Sequence, residues 1–141
     1  LKLYNTGELL KEVVQLMQND TNDLHLSLPN IPLRLIADKE QVEQVLINLI
    51  RNARENEATQ ITLSAGITPR NHLFLRVTDN GTGIDPEVQE RIFIPFFTTK
   101  PTGSGIGLTI SRQIMHQHHG SITVQSKVGE GSMFTLLFPI V

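Results

Sequence analysis

Between Asp79 and Leu108 the chain carries two glycine clusters separated by a stretch with no clean period, an arrangement few folds accommodate. The first cluster, Asp79-Asn80-Gly81-Thr82-Gly83, follows the alternating run Leu73-Phe74-Leu75-Arg76-Val77. Alternation predicts a strand and Asn-Gly a tight turn, so the acid falls at a strand end. The second cluster, Gly103-Ser104-Gly105-Ile106-Gly107-Leu108, runs straight into a helical pattern. Glycines ahead of a helix let the backbone approach a ligand closely, and the unpaired N–H groups of the first turn attract anions such as phosphate. The stretch is therefore read as a phosphate-binding region around which the rest of the chain is arranged.

Composition limits the partners. With 141 residues, 39% of them hydrophobic, the chain can bury one core and is read as a single domain. A formal net charge of −2 gives no basic face, so nucleic acid is not expected as a partner. There is no cysteine, which excludes disulfides and thiolate metal sites. No apolar run approaches the roughly 20 residues that cross a bilayer, so no membrane contact is expected of this domain. The first residue is not methionine, and a piece of a longer protein is expected.

Read in order, Asn5-Thr6-Gly7-Glu8 offers caps for an amphipathic helix running to about Gln18. Strands are predicted at 24–28 and 33–36, and Asp38 caps a long helix over 39–55. Residues 59–65 and 72–78 alternate apolar with polar side chains around a turn containing Pro69, which predicts an antiparallel pair. Pro86 starts a short helical segment to Arg91, and 106–117 returns to a helix that Gly120 stops. Strands at 121–126 and 132–138 flank Gly129-Glu130-Gly131. Hairpins separated by helices predict an α+β fold. The expected form is a two-layer sandwich, with a mixed, mostly antiparallel sheet covered on one face by three helices.

The long helix carries a second constellation. Val42, Val45, Leu46, Leu49 and Ala53 share one side. Asn48 and Asn52, one turn apart, stack on a face roughly 100° from Leu49, beside the core stripe. Amide oxygens are hard, neutral ligands suited to Mg²⁺, which keeps water and takes phosphate oxygens alongside one or two protein groups. Two asparagines on a helix otherwise simply face solvent. The glycine clusters favour the ligand reading.

Four segments now stand in order. They are Asn48-Leu49-Ile50-Arg51-Asn52-Ala53; Asp79-Asn80-Gly81-Thr82-Gly83-Ile84; Arg91-Ile92-Phe93-Ile94-Pro95-Phe96-Phe97-Thr98-Thr99-Lys100; and Gly103-Ser104-Gly105-Ile106-Gly107-Leu108. Together they resemble the N, G1, F and G2 boxes of sensor histidine kinases. The resemblance covers nearly the whole chain, to the closing Gly129-Glu130-Gly131-Ser132-Met133-Phe134 and Pro139. It implies the catalytic and ATP-binding domain, with the nucleotide fold shared by gyrase, Hsp90 and MutL and an ATP lid between the F and G2 boxes. Thr98-Thr99-Lys100-Pro101 is most similar to kinases of nitrogen-regulation and dicarboxylate-sensing type.

By position, the resemblance implies that Asp79 accepts a hydrogen bond from the adenine amino group. An ionised carboxylate only accepts, and guanine would present a carbonyl oxygen there, so ATP is expected over GTP. Gly81 and Gly83 would let the backbone pass the base and ribose, with Ile84 on the ring. Asn52 would be the main Mg²⁺ ligand, with Asn48 beside it. Gly103, Ser104, Gly105, Gly107 and Leu108 would form the phosphate turn, and Phe96, Thr99 and Lys100 the lid. Asn48 and Lys100 are the residues expected to act in catalysis. Implied partners are the dimerisation and phosphoacceptor domain of the same kinase and a downstream response regulator. The isolated domain is expected to be monomeric, and the parent a membrane-bound sensor with this domain in the cytoplasm.

Two departures stand out. Glu55 and Asn56 replace the basic and small or aromatic residues common after the N box. None of His25, His72, His116, His118 and His119 is followed by an acid, so none fits the phosphoacceptor pattern. His116, His118 and His119 are read as a helix terminus leaning on Gly120, where cationic histidine is favoured, rather than as a metal cluster. A serine kinase of the anti-sigma-factor type on the same fold and a nucleotide-binding pseudokinase remain the alternatives.

Overall fold

The computed structural model describes residues 1–94 and 107–140. The elements follow in order as β1 (Lys2–Asn5), α1 (Thr6–Met17), β2 (Leu24–Ser27), β3 (Arg34–Ala37), α2 (Lys39–Glu55), β4 (Ile61–Ile67), β5 (His72–Asp79), α3 (Pro86–Gln89), α4 (Gly107–Gln117), β6 (Ser121–Lys127) and β7 (Gly131–Pro139). Five strands form one sheet in the order β2-β4-β5-β7-β6, and β1 pairs with β3 in a separate two-stranded ribbon. Only β2 and β4 run parallel within the large sheet; the other pairs are antiparallel. The mixed α+β sandwich is as expected from the sequence.

The helices α1 and α2 each start where a side chain can accept a free N–H of the first turn. Asn5 accepts from Glu8 N at 3.0 Å and Asp38 from Gln41 N at 3.2 Å. Along α2, Val42, Val45, Leu46, Leu49, Ile50 and Ala53 are buried, as the 3.6-residue period requires. They meet Leu9, Leu10 and Val13 of α1, Ile114 and Met115 of α4, and the inward positions of the sheet, Ile61, Leu63, Leu73, Leu75, Val77, Phe134, Leu136 and Phe138. Each large side chain removed from water contributes about 1.5–3 kcal/mol, so this seam dominates stability.

The other sheet face is more polar but carries Phe74, Met133 and Leu137, and at Gly66 a ring covers the backbone. Its Cα partner is Phe74, and a Cβ on Gly66 would lie 2.7 Å from the Phe74 ring. The ring therefore fills the missing side chain's place, and the Arg76 guanidinium stacks on it 4.0 Å from the centroid.

At the end of α4, Gly120 N–H donates to Met115 O at 2.9 Å and His119 N–H to His116 O at 3.0 Å. This is a Schellman closure, but the left-handed residue is His119, at φ 59°. Gly120 is needed for a different reason, because a Cβ there would sit 2.0 Å from the Leu137 carbonyl oxygen.

Candidate active site

The first glycine cluster is stitched to three elements. Asp79 is the last residue of β5, 7% exposed, and its Oδ1 accepts the Gly81 N–H at 2.8 Å. Gly81 has no room for a side chain, since a Cβ would lie 2.5 Å from the Asn56 carbonyl oxygen. Gly83 takes φ 77°, and its Cβ position is 2.3 Å from Lys127 O. Between them Thr82 N–H donates to Asn56 O at 2.8 Å, and Thr82 O accepts from Gly129 N at 2.9 Å. The turn thus lies between the end of α2 and the β6–β7 hairpin.

The departure at Asn56 costs this arrangement nothing, because α2 holds the turn through a backbone carbonyl. Asn80 braces the other side. Its Oδ1 accepts from Thr59 N and Gln60 N, both at 2.9 Å, and its Nδ2 donates to Thr59 Oγ1 at 2.9 Å. Ile84, 8% exposed, belongs to the core, and its N–H donates to Ser126 Oγ at 2.7 Å. Ser126 Oγ also lies 2.7 Å from Ser132 Oγ and 2.9 Å from Gly131 O, and Gln89 Nε2 donates to Ile84 O at 2.8 Å. None of Asn80, Gln89, Ser126 or Ser132 stands out in the sequence as a bracing residue. Asn80 reads there only as half of a turn dipeptide.

At the other end, Asn48 faces the start of α4. Its Nδ2 lies 3.4 Å from both Gly107 O and Ser111 Oγ, and its Oδ1 accepts from Gln44 Nε2 at 2.9 Å. Asn52 follows one turn later on the same face, half-buried. From Asn48 beside Gly107 to Asn56 beside Thr82, α2 rises about 12 Å. The structure thus places Gly107 beside Asn48 at one point of α2 and Gly81 beside Asn56 at its end; Asp79 leads into that turn, Gly83 and Ile84 lie against Lys127 and Ser126, and Leu108 packs against the core. Phe96, Thr99, Lys100, Gly103, Ser104 and Gly105 lie outside the described residues.

The amide oxygens of Asn48 and Asn52 are chemically suited to Mg²⁺ alongside phosphate oxygens and water. Coordination by Asn48 would add the ion to an oxygen that already accepts from Gln44, which its two lone pairs allow.

His116 lies in the last turn of α4 and His119 closes it, as the helix-terminus reading expects, but His118 departs from the cationic role. His118 is buried at 5% exposure, its Nε2 accepts the Asp38 N–H at 3.0 Å, and its Nδ1 lies 2.8 Å from Ile114 O. An accepting Nε2 and a donating Nδ1 make this ring neutral, not the cationic cap the helix terminus suggested. It ties the end of α4 to the cap of α2. Among the described residues no group of three or more His, Asp or Glu is placed to hold a metal ion, and no helix is long and apolar enough to cross a membrane.

A buried carboxylate at a strand end, a glycine turn pinned to a helix and asparagines along that helix are carried on an α+β sandwich. The chain belongs to the family described as Histidine kinase-, DNA gyrase B-, and HSP90-like ATPase, whose profile matches residues 37–141. Within it the similarity is to histidine kinases. The sensor histidine kinase ZraS of Salmonella typhi is 35% identical over all of this chain, which covers 32% of that protein. AtoS of Escherichia coli, a signal transduction histidine-protein kinase, is 41% identical over 74% of this chain and 17% of its own length. The nucleotide-free catalytic domain of histidine kinase ThkA superposes with a TM-score of 0.84 at 34% identity, covering 99% of this chain and 95% of that one. Full-length ShkA in complex with AMPPNP gives 0.83 at 27% identity, over all of this chain and 32% of that one. The chain spans about a third of the length of the first curated relatives.

Proposed function

We propose that residues 1–141 are the catalytic and ATP-binding domain of a longer sensor kinase, and that the domain transfers the γ-phosphate of Mg-ATP to a histidine on a separate dimerisation domain. The observation that carries the reading is the Asp79 carboxylate, buried and oriented by Gly81 N–H. An ionised carboxylate only accepts, which suits an adenine amino group and offers nothing to donate to the carbonyl oxygen of guanine. Asn52 and Asn48 would hold Mg²⁺, which when bound neutralises charge on the phosphates.

The chain's own residues then bind and align. Asp79 reads the base, the Gly81–Gly83 turn packs against the Asn56 and Lys127 carbonyls and so fixes the strand end that carries Asp79, and α2 carries the amides to the phosphate end. Lys100, Phe96, Thr99 and the Gly103–Ser104–Gly105 turn keep the roles their sequence implies, lid and phosphate contacts. Phosphoryl transfer asks little covalent chemistry of a protein beyond such positioning and charge compensation. ZraS and AtoS, named as a sensor histidine kinase and a signal transduction histidine-protein kinase, support placing the domain in two-component signalling; a downstream response regulator and a membrane-bound parent complete the proposal.

The test supplies γ-labelled ATP to the domain together with the helical phosphoacceptor domain of the same kinase. Acid-labile phosphate on the helical domain is the expected result. Acid-stable phosphate on a partner would indicate a serine kinase, and no transfer with intact ATP binding would indicate a regulatory binding module; either contradicts the proposal.

A further inference from the structure

The Asn48 amide has a forced polarity. Gly107 O can only accept, so the amide turns its NH₂ group toward it; the flipped amide would set two oxygens face to face. Its oxygen then faces Gln44, one turn earlier on α2, and Gln44 must donate. Ser111 Oγ completes the arrangement, donating to Gly107 O at 3.0 Å. The contacts from Asn48 to α4 are long, at 3.4 Å, whereas Gln44 holds Asn48 at 2.9 Å. The short bond therefore sets how rigidly the amide is held, and it comes from an exposed side chain.

Building on the Mg-ATP reading above, we infer that Gln44 is a positioning residue for the cation. By donating to Asn48 Oδ1 it fixes the direction in which that oxygen meets a nucleotide-bound metal ion. Hydrogen-bonded neighbours of metal ligands commonly act in this way, and their loss costs roughly 10–100-fold in metal affinity.

The experiment measures ATP affinity of the chain by calorimetry with and without Mg²⁺, for wild type and Gln44→Met, which keeps the length and loses the donor. The expected result is an unchanged metal-free affinity and a Mg²⁺ enhancement reduced about tenfold. In an Asn48→Ala background, Gln44→Met should change nothing further, an outcome a merely structural role would not produce. A wild-type chain whose ATP binding ignores Mg²⁺ overturns the Mg-ATP reading and this inference with it. A wild-type response that Gln44→Met leaves intact, enlarges, or lowers only in step with metal-free affinity overturns this inference alone.

Discussion

Gly131 passes so close to Asp79 that a Cβ on it would sit 1.9 Å from the Asp79 carbonyl oxygen. The same glycine holds φ 119°, a region side chains avoid. Both features come from the β6–β7 hairpin folding back against the end of β5, where Asp79 pairs with Ser132. The strand end that presents the carboxylate is therefore shaped from below by one residue without a side chain.

Gly131→Ala is expected to cost about 2–4 kcal/mol, combining backbone strain with a clash against backbone that cannot swing away. Chemical denaturation checks the loss. Nucleotide affinity of the fraction that remains folded should also fall, since the Asp79 backbone must move to make room.

A second expectation concerns Arg54, which ties three elements together. Its Nε and Nη2 donate to the two oxygens of Asp23, both at 2.9 Å, and Nη2 also donates to Met17 O at 2.6 Å. The Arg54 guanidinium holds the Asp23 carboxyl below its ordinary range, against the opposing effect of burial. Because the folded value is depressed, the pair's contribution is complete above the unfolded carboxylate range, near pH 4, and is lost as pH falls below it. Asp23→Asn should cost about 3 kcal/mol at pH 7 by leaving Arg54 without its carboxylate. The gap from wild type, followed by denaturation across pH, should close below pH 4.

Glu43 gives the opposite sign. Burial raises its carboxyl above the ordinary range, with Lys39 opposing and Glu12 and Glu40 adding to the rise. The folded chain thus binds this proton more tightly than the unfolded chain, and stability is lost as pH climbs through the raised value. Glu43→Gln should raise stability at pH 7 by no more than about 1 kcal/mol and leave it unchanged at acid pH. A thermal melt at each pH reads the difference.

Local signals made much of this legible. Asp38 and the period of Val42, Val45, Leu46 and Leu49 locate α2 at the bounds expected. The alternation of residues 72–78 locates β5, with Asp79 at its end. What stayed hidden depends on partners distant in the chain. The strand Lys2–Asn5 is too short to declare itself and exists because β3 pairs with it. The parallel pairing of β2 with β4 needs the crossover through α2. His118 looks like any helix-end histidine until Asp38 N–H, far away in sequence, is set against Nε2. Likewise Gln44 is an ordinary exposed residue until Gly107 O fixes the polarity of Asn48.

The central claim is that Asp79 reads adenine, and Asp79→Asn tests it most directly. The substitution replaces an acceptor-only carboxylate by an amide, which accepts more weakly and adds an NH₂ donor that can face the base. Donor would then face donor at the adenine amino group, a loss of about 3 kcal/mol or roughly a hundredfold in affinity. Calorimetry of Mg-ATP against wild type and variant should show that drop, with GTP bound far more weakly than ATP by the wild type. An Asp79→Asn variant that binds ATP as the wild type does would contradict the account.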